Sequence, residues 1–242
     1  MSARNNPIGR RNSPLLCYVT DRRTLGIANP ADSLAALIQK IEEVVAAEID
    51  WVQIREKDLP ARELASLTRH ALTIAGKYSA KRSSTVRVLV NDRLDVALAE
   101  RADGVHLGEK SLPVAEAKRL VESALRKRAV DEAFLEGVSC HSLEAAEAAE
   151  RDGADYIFFG PVFTTPSKQG LGPSQGTEHL QQVCSAVSIP VLAIGGITLD
   201  NAASCIHAGA AGIAAIRLFQ DAPDPVFTVR QLHQLSTDFR PQ

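Results

Sequence analysis

The stretch PVLAIGGITLDNAASCIHAGAAGIAAIRL, residues 190–218, reads as strand, turn, helix and strand. Its outer runs, PVLAIG (190–195) and GIAAIRL (212–218), are short and apolar without strict alternation. That is the pattern of strands covered on both faces. Between them, TLDNAASCIHAG (198–209) has apolar residues at helical steps, and Thr198 and Asp200 offer a helix start just after Gly195 and Gly196.

The same unit recurs along the chain. LLCYVT (15–20), WVQIR (51–55), VRVLVN (86–91), GVHL (104–107), GVSC (137–140) and YIFFG (156–160) read as further strands. Amphipathic helical patterns span 31–48, 60–78, 113–129 and 142–153, the last with Ser142 as a hydroxyl cap. Strand–helix units in series predict an α/β protein, a parallel (β/α)8 TIM barrel formed as a single domain over 14–242. The polar, basic residues 1–13 lack an apolar signal core and read as a disordered tail.

Composition narrows the function. The chain has 242 residues, 45% apolar, with a formal net charge of −2, long enough for a substantial core and too neutral for nucleic acid or a membrane surface as its main ligand. No apolar run reaches the length of a membrane span. Cys17, Cys140, Cys184 and Cys205 lack metal-type spacing and read as buried free thiols in a reducing, cytoplasmic setting. The oligomeric state is left open, a homo-oligomer among the states allowed.

In such a barrel the loops after the strands carry the site, so the polar residues ending each run form a set. Gln53, Arg55 and Lys57 alternate and share one face, where an amide and two cations suit an anion such as phosphate; a solvated strand end is the plainer alternative. Asn91 and Asp92 follow the third strand, and a carboxylate beside a phosphate site suggests Mg²⁺, although Asn-Asp is also ordinary turn chemistry. Ser139 ends the fifth strand, with His141 two residues on as either a site residue or a structural histidine. Gly196 and Ile216 open the last two loops, where backbone N–H groups commonly hold phosphate, and Arg217 strengthens that reading. The loop GPVFTTPSKQGLGPSQG (160–176) supplies Thr165, Ser167 and Lys168 as donors, with glycines that would let it close. The residues alone predict a barrel that binds two phosphate-like groups.

The elements QIREK, VLVNDRLDVALAERADGVHLG, GVSCHS, GPVFTTPSK and IPVLAIGGIT, in this order, resemble the thiamine phosphate synthase family and its sister thiazole tautomerases over about residues 15–220. The resemblance implies an alkyl transferase that joins a hydroxymethylpyrimidine diphosphate to a thiazole phosphate. It implies that Gln53, Arg55 and Lys57 bind the pyrimidine diphosphate, with Asn91 on the pyrimidine or diphosphate and Asp92 on Mg²⁺. It places Ser139 and Lys168 on the departing diphosphate, Thr165 and Ser167 on the thiazole phosphate's side, and Gly196 and Ile216 at that phosphate. The chain departs from the family at Ser111, in HLGEKS, where a second metal carboxylate is usual and Glu109 is a candidate substitute, and at Arg217, where serine is common. Two other readings fit the same residues: a tautomerase with His141 as acid–base, and a silent barrel that binds a thiamine precursor.

Overall fold

The computed structural model describes residues 12–80, 85–126, 133–165 and 174–235. The strands are β1 (Leu15–Val19), β2 (Trp51–Ile54), β3 (Arg87–Asn91), β4 (Gly104–Leu107), β5 (Leu135–Cys140), β6 (Tyr156–Phe159), β7 (Val191–Ile194) and β8 (Gly212–Ala215). Each pairs in parallel with the next, and β8 pairs with β1, so the sheet closes as the sequence predicts. The helices are α1 (Pro30–Ala46), α2 (Ala61–Ser79), α3 (Leu94–Ala99), α4 (Val114–Arg126), α5 (Leu143–Arg151), α6 (Gly176–Ala186), α7 (Leu199–His207), α8 (Arg217–Gln220) and α9 (Pro225–His233).

Strand alternation divides the apolar residues into two layers. One parity packs outward against the helices. The other fills the barrel with Leu15, Cys17, Val19, Trp51, Leu89, Leu135, Tyr156, Phe158, Leu192 and Ala214. Space inside is tight: a Cβ on Gly212 would lie 2.1 Å from the Leu15 carbonyl oxygen, so glycine lets β8 close on β1. Of the cysteines, Cys17, Cys140 and Cys205 are buried free thiols, whereas Cys184 is half-buried.

Helix ends follow local chemistry. Ser142 accepts a hydrogen bond from the Ala145 N–H at 3.2 Å. Thr198 caps α7, and Asn201 completes a capping box by accepting from the Thr198 N–H at 2.8 Å. Among the strands the largest shift from expectation is in β8, which ends at Ala215, not residue 218, because Ile216 turns (φ −90°, ψ −77°) and Arg217 begins a helix; β5 starts two residues earlier than expected, at Leu135. At the opposite end of the barrel, Asp50 accepts from the Leu16 N–H at 2.9 Å and lies 3.1 Å from His233 Nε2, tying α9 to the base of β1 and β2. Among the described residues no helix is long and apolar enough to cross a membrane.

Candidate active site

The inward parity of each strand continues into the loops at its carboxyl end. Gln53 and Arg55 extend the face that begins with Trp51, Asn91 extends that of Leu89, and Ser139 extends that of Leu135. These four residues therefore share the inward face at one mouth, because each sits an even number of positions beyond an inner core residue.

A connected chain of polar groups crosses this mouth. Gln53 Nε2 donates to Asn91 Oδ1 at 2.8 Å, and Asn91 Nδ2 donates to Asp92 Oδ2 at 2.8 Å. Asp92 Oδ1 accepts from the Gly108 N–H at 2.8 Å and from the Ser111 hydroxyl. Asp92 holds a left-handed backbone (φ 60°), a conformation that Asp tolerates better than most residues. Burial raises its carboxyl pKa, but hydrogen bonds from Ser111, Gly108 and Asn91, with the charge of Lys57, outweigh that and hold it below its ordinary value. Gln53 Oε1 is buried and has no hydrogen-bond partner among the described residues, leaving an acceptor for an incoming N–H.

Arg55 is fixed from the other side. Its backbone N–H donates to Thr20 Oγ1 at 2.9 Å, and its Nη1 lies 3.7 Å from Asp21 Oδ2. Thr20 donates to the buried Glu56 at 2.7 Å, and Arg22 bridges Glu56 and Asp58 at 2.9 and 2.8 Å. Lys57 is exposed and, with Asn91, Asp92 and Arg93, lines a cavity of about 260 Å³ beside the mouth.

The remaining candidates are distributed unevenly. Ser139 is half-buried, its Oγ 3.0 Å from Nε2 of the buried His106. Burial pushes the His106 imidazole down to about 3, against the opposing pull of Asp92. His141 Nδ1 donates to the Gly160 carbonyl. Gly196 (φ 67°) presses on the loop after β6, where a Cβ would lie 2.6 Å from the Thr164 carbonyl oxygen. Ile216 packs on the inner core, and Thr165 is half-buried. Arg217 sits exposed at the start of α8, off the inward parity, because the chain turns helical there. Glu109 is exposed, and Ser167 and Lys168 lie outside the described residues.

Sequence reasoning passed over Thr20, Asp21, Glu56, His106 and Tyr156. A usable signal existed for His106, a histidine at an inward position of the apolar run GVHL, paired in register with Asn91.

No group of three or more His, Cys, Asp or Glu side chains is assembled for a metal among the described residues. The donor set at Asp92 is one ionised carboxylate with Ser111 beside it. That set fits Mg²⁺, which keeps several waters and takes one or two carboxylates plus substrate phosphates.

Fold and mouth together define a (β/α)8-barrel enzyme whose rim gathers cations, amides and a carboxylate. Comparison with known proteins agrees. A family described as thiamine monophosphate synthase matches residues 24–219. A thiamine-phosphate synthase of Roseiflexus castenholzii is 38% identical over 232 residues, covering 96% of this chain and 92% of the relative. One from Methanoculleus marisnigri is 40% identical over 218 residues, covering 89% and 92%. The solved structure of a thiamine phosphate pyrophosphorylase from Pyrococcus furiosus superposes with a TM-score of 0.74 at 31% identity, covering 93% of this chain and 96% of that one. The chain belongs to the thiamine monophosphate synthase family, and it is an enzyme, a transferase.

Proposed function

We infer that the protein is a thiamine phosphate synthase that transfers the hydroxymethylpyrimidine group from its diphosphate to the nitrogen of a thiazole phosphate. The observation that carries this reading is the convergence of Arg55, Gln53, Asn91, Asp92 and Ser139 on one rim, with Gln53 Oε1 still open as an acceptor.

The chemistry follows from those groups. The bond between the pyrimidine methylene carbon and the diphosphate oxygen breaks, and its electron pair leaves with diphosphate. The thiazole nitrogen lone pair then forms the new C–N bond, so no protein nucleophile is required. Arg55, Lys57 and Lys168 would meet the negative charge that grows on the leaving group, where stabilisation raises the rate. Gln53 and Asn91 would orient the pyrimidine, and Ser139 would donate to the diphosphate. Thr165, Ser167, Gly196 and Ile216 would hold the thiazole phosphate, with Arg217 adding charge from the rim. Asp92, with Ser111 alongside, would hold Mg²⁺, whose charge when bound also offsets that of diphosphate. The partners are then small molecules, and the buried thiols suit a reducing cytoplasm.

A second reading, thiazole tautomerase, draws on His141. A carbonyl can only accept, so Nδ1 carries the proton towards Gly160 and Nε2 is left as a base. One experiment separates the readings: purified protein with Mg²⁺ and both phosphorylated substrates, analysed by mass spectrometry. Thiamine phosphate is the expected product. Its absence at high enzyme concentration refutes the synthase reading, and isomerisation of a thiazole carboxylate phosphate that is lost in His141→Ala would establish the second. Tight binding of a precursor without turnover would identify a silent barrel.

A further inference from the structure

A line of three polar groups runs from the centre of the barrel to its mouth. The Tyr156 hydroxyl lies 3.2 Å from His106 Nδ1, and His106 Nε2 lies 3.0 Å from Ser139 Oγ. Tyr156 and His106 are 0% and 1% exposed. Both rings are held by packing: Trp51 meets Tyr156 edge-on at 4.9 Å, and Phe158 lies against His106 at 4.1 Å. Tyr156 fits only because its register partner on β5 is Gly137, where a Cβ would lie 2.0 Å from the Tyr156 Cζ.

A neutral imidazole carries one N–H, so the line has two directions. In the first, Tyr156 donates to Nδ1, Nε2–H donates to Ser139, and the serine proton is free to point into the mouth. In the second, Ser139 donates inward to Nε2 and Nδ1–H donates to the tyrosine oxygen. The tyrosine proton then has no acceptor among the described residues, deep in an apolar interior. A buried donor without a partner is the more costly state, so the first direction prevails.

We propose that Tyr156, acting through His106, turns the Ser139 hydroxyl proton outward and so makes Ser139 a committed hydrogen-bond donor to an anionic leaving group. Tyr156 and His106 are positioning residues, and Ser139 is the group that touches the diphosphate; this last contact rests on the synthase reading. The device places no charge in the barrel and needs no proton transfer. It converts a tyrosine in the core into control over which way a serine at the rim can bond. In a mouth built for phosphates, a serine facing the other way would present lone pairs to a polyanion.

Two measurements test it. Nitrogen NMR of the ¹⁵N-histidine-labelled protein, with the His106 signal assigned by its loss in His106→Gln, reads the tautomer directly and requires no turnover. A protonated Nε2 and a bare Nδ1 are expected, with the tautomer ratio shifting in Tyr156→Phe. A protonated Nδ1 in the wild type overturns the proposal even if the enzyme is a synthase. A double-mutant cycle then reads the consequence. Tyr156→Phe is expected to lower kcat roughly tenfold with little change in KM for the thiazole phosphate. Adding it to Ser139→Ala is expected to cost nothing further, because the serine it orients is gone. Independent, multiplying losses overturn the link to catalysis, since a purely structural tyrosine would add its own defect. If the wild type forms no thiamine phosphate, the synthase reading fails, and the tautomer still decides the relay.

Discussion

Ser111 donates its hydroxyl proton to Oδ1 of Asp92, joining the loop after β4 to the end of β3. Family resemblance sets a carboxylate at this position, and here a neutral hydroxyl supports the Asp92 charge instead. Ser111→Asp is expected to tighten Mg²⁺ binding roughly tenfold in calorimetry and to lower the Mg²⁺ concentration for half-maximal rate. In EDTA the two carboxylates would repel, so the variant should melt below the wild type and gain more on adding Mg²⁺. Unchanged affinity would show that another group already serves the ion.

Glu56 has a fully buried side chain and accepts from Thr20 and from both the backbone and the guanidinium of Arg22. Removing it strands a guanidinium that is itself only 10% exposed, although Asp58 still holds one side. Glu56→Ala should destabilise the fold by about 3 kcal/mol in denaturant titrations. The loss should exceed that of Asp58→Ala, whose carboxylate is 46% exposed. Equal losses would mean that burial does not govern this pair.

Acid stability should report on His106. Burial moves its pKa from 6.5 to about 3 in the fold. Below 6.5 the unfolded chain binds the extra proton and the native chain does not, so this contribution is complete above that pH and drains away as the pH falls towards 3. Melting temperature should fall over this window, and less steeply in His106→Gln. Parallel curves for the two proteins would remove His106 as a cause.

Gly196 combines a left-handed backbone with contact against the Thr164 and Phe163 carbonyls. Gly196→Ala should cost at least about 1 kcal/mol from backbone strain alone. It should also weaken the thiazole phosphate more than the pyrimidine diphosphate, read as separate KM values. Equal changes in both would place Gly196 outside the phosphate site.

The barrel was legible because eight short apolar runs carry the β signal directly, and inner parity then brings Gln53, Arg55, Asn91 and Ser139 to one rim. Not everything was legible, and α6 and α9 lie outside the helical patterns read from the sequence. The short helix α3 has six residues, too few for a helical period to stand out beside a polar turn. The apolar run from Gly212 to Ile216 carries straight on towards α8, so local composition extends the strand to residue 218 and sets Arg217 within it, whereas Arg217 is the exposed first residue of a helix. The partners of Arg55 come from β1's loop, and an ion pair spanning 34 residues, Asp21 to Arg55, has no local signature. Ser167 and Lys168, read from the same sequence, lie outside the described residues.

Asp50 and Arg55 stand at opposite ends of one four-residue strand. Asp50 clasps the carboxyl-terminal helix at the floor, and Arg55 looks into the mouth. Robustness and chemistry are thus assigned to different poles of a single segment. Changes near the floor can tune heat tolerance while turnover stays constant, and the rim can be rewritten for a new phosphorylated substrate without loosening the staves.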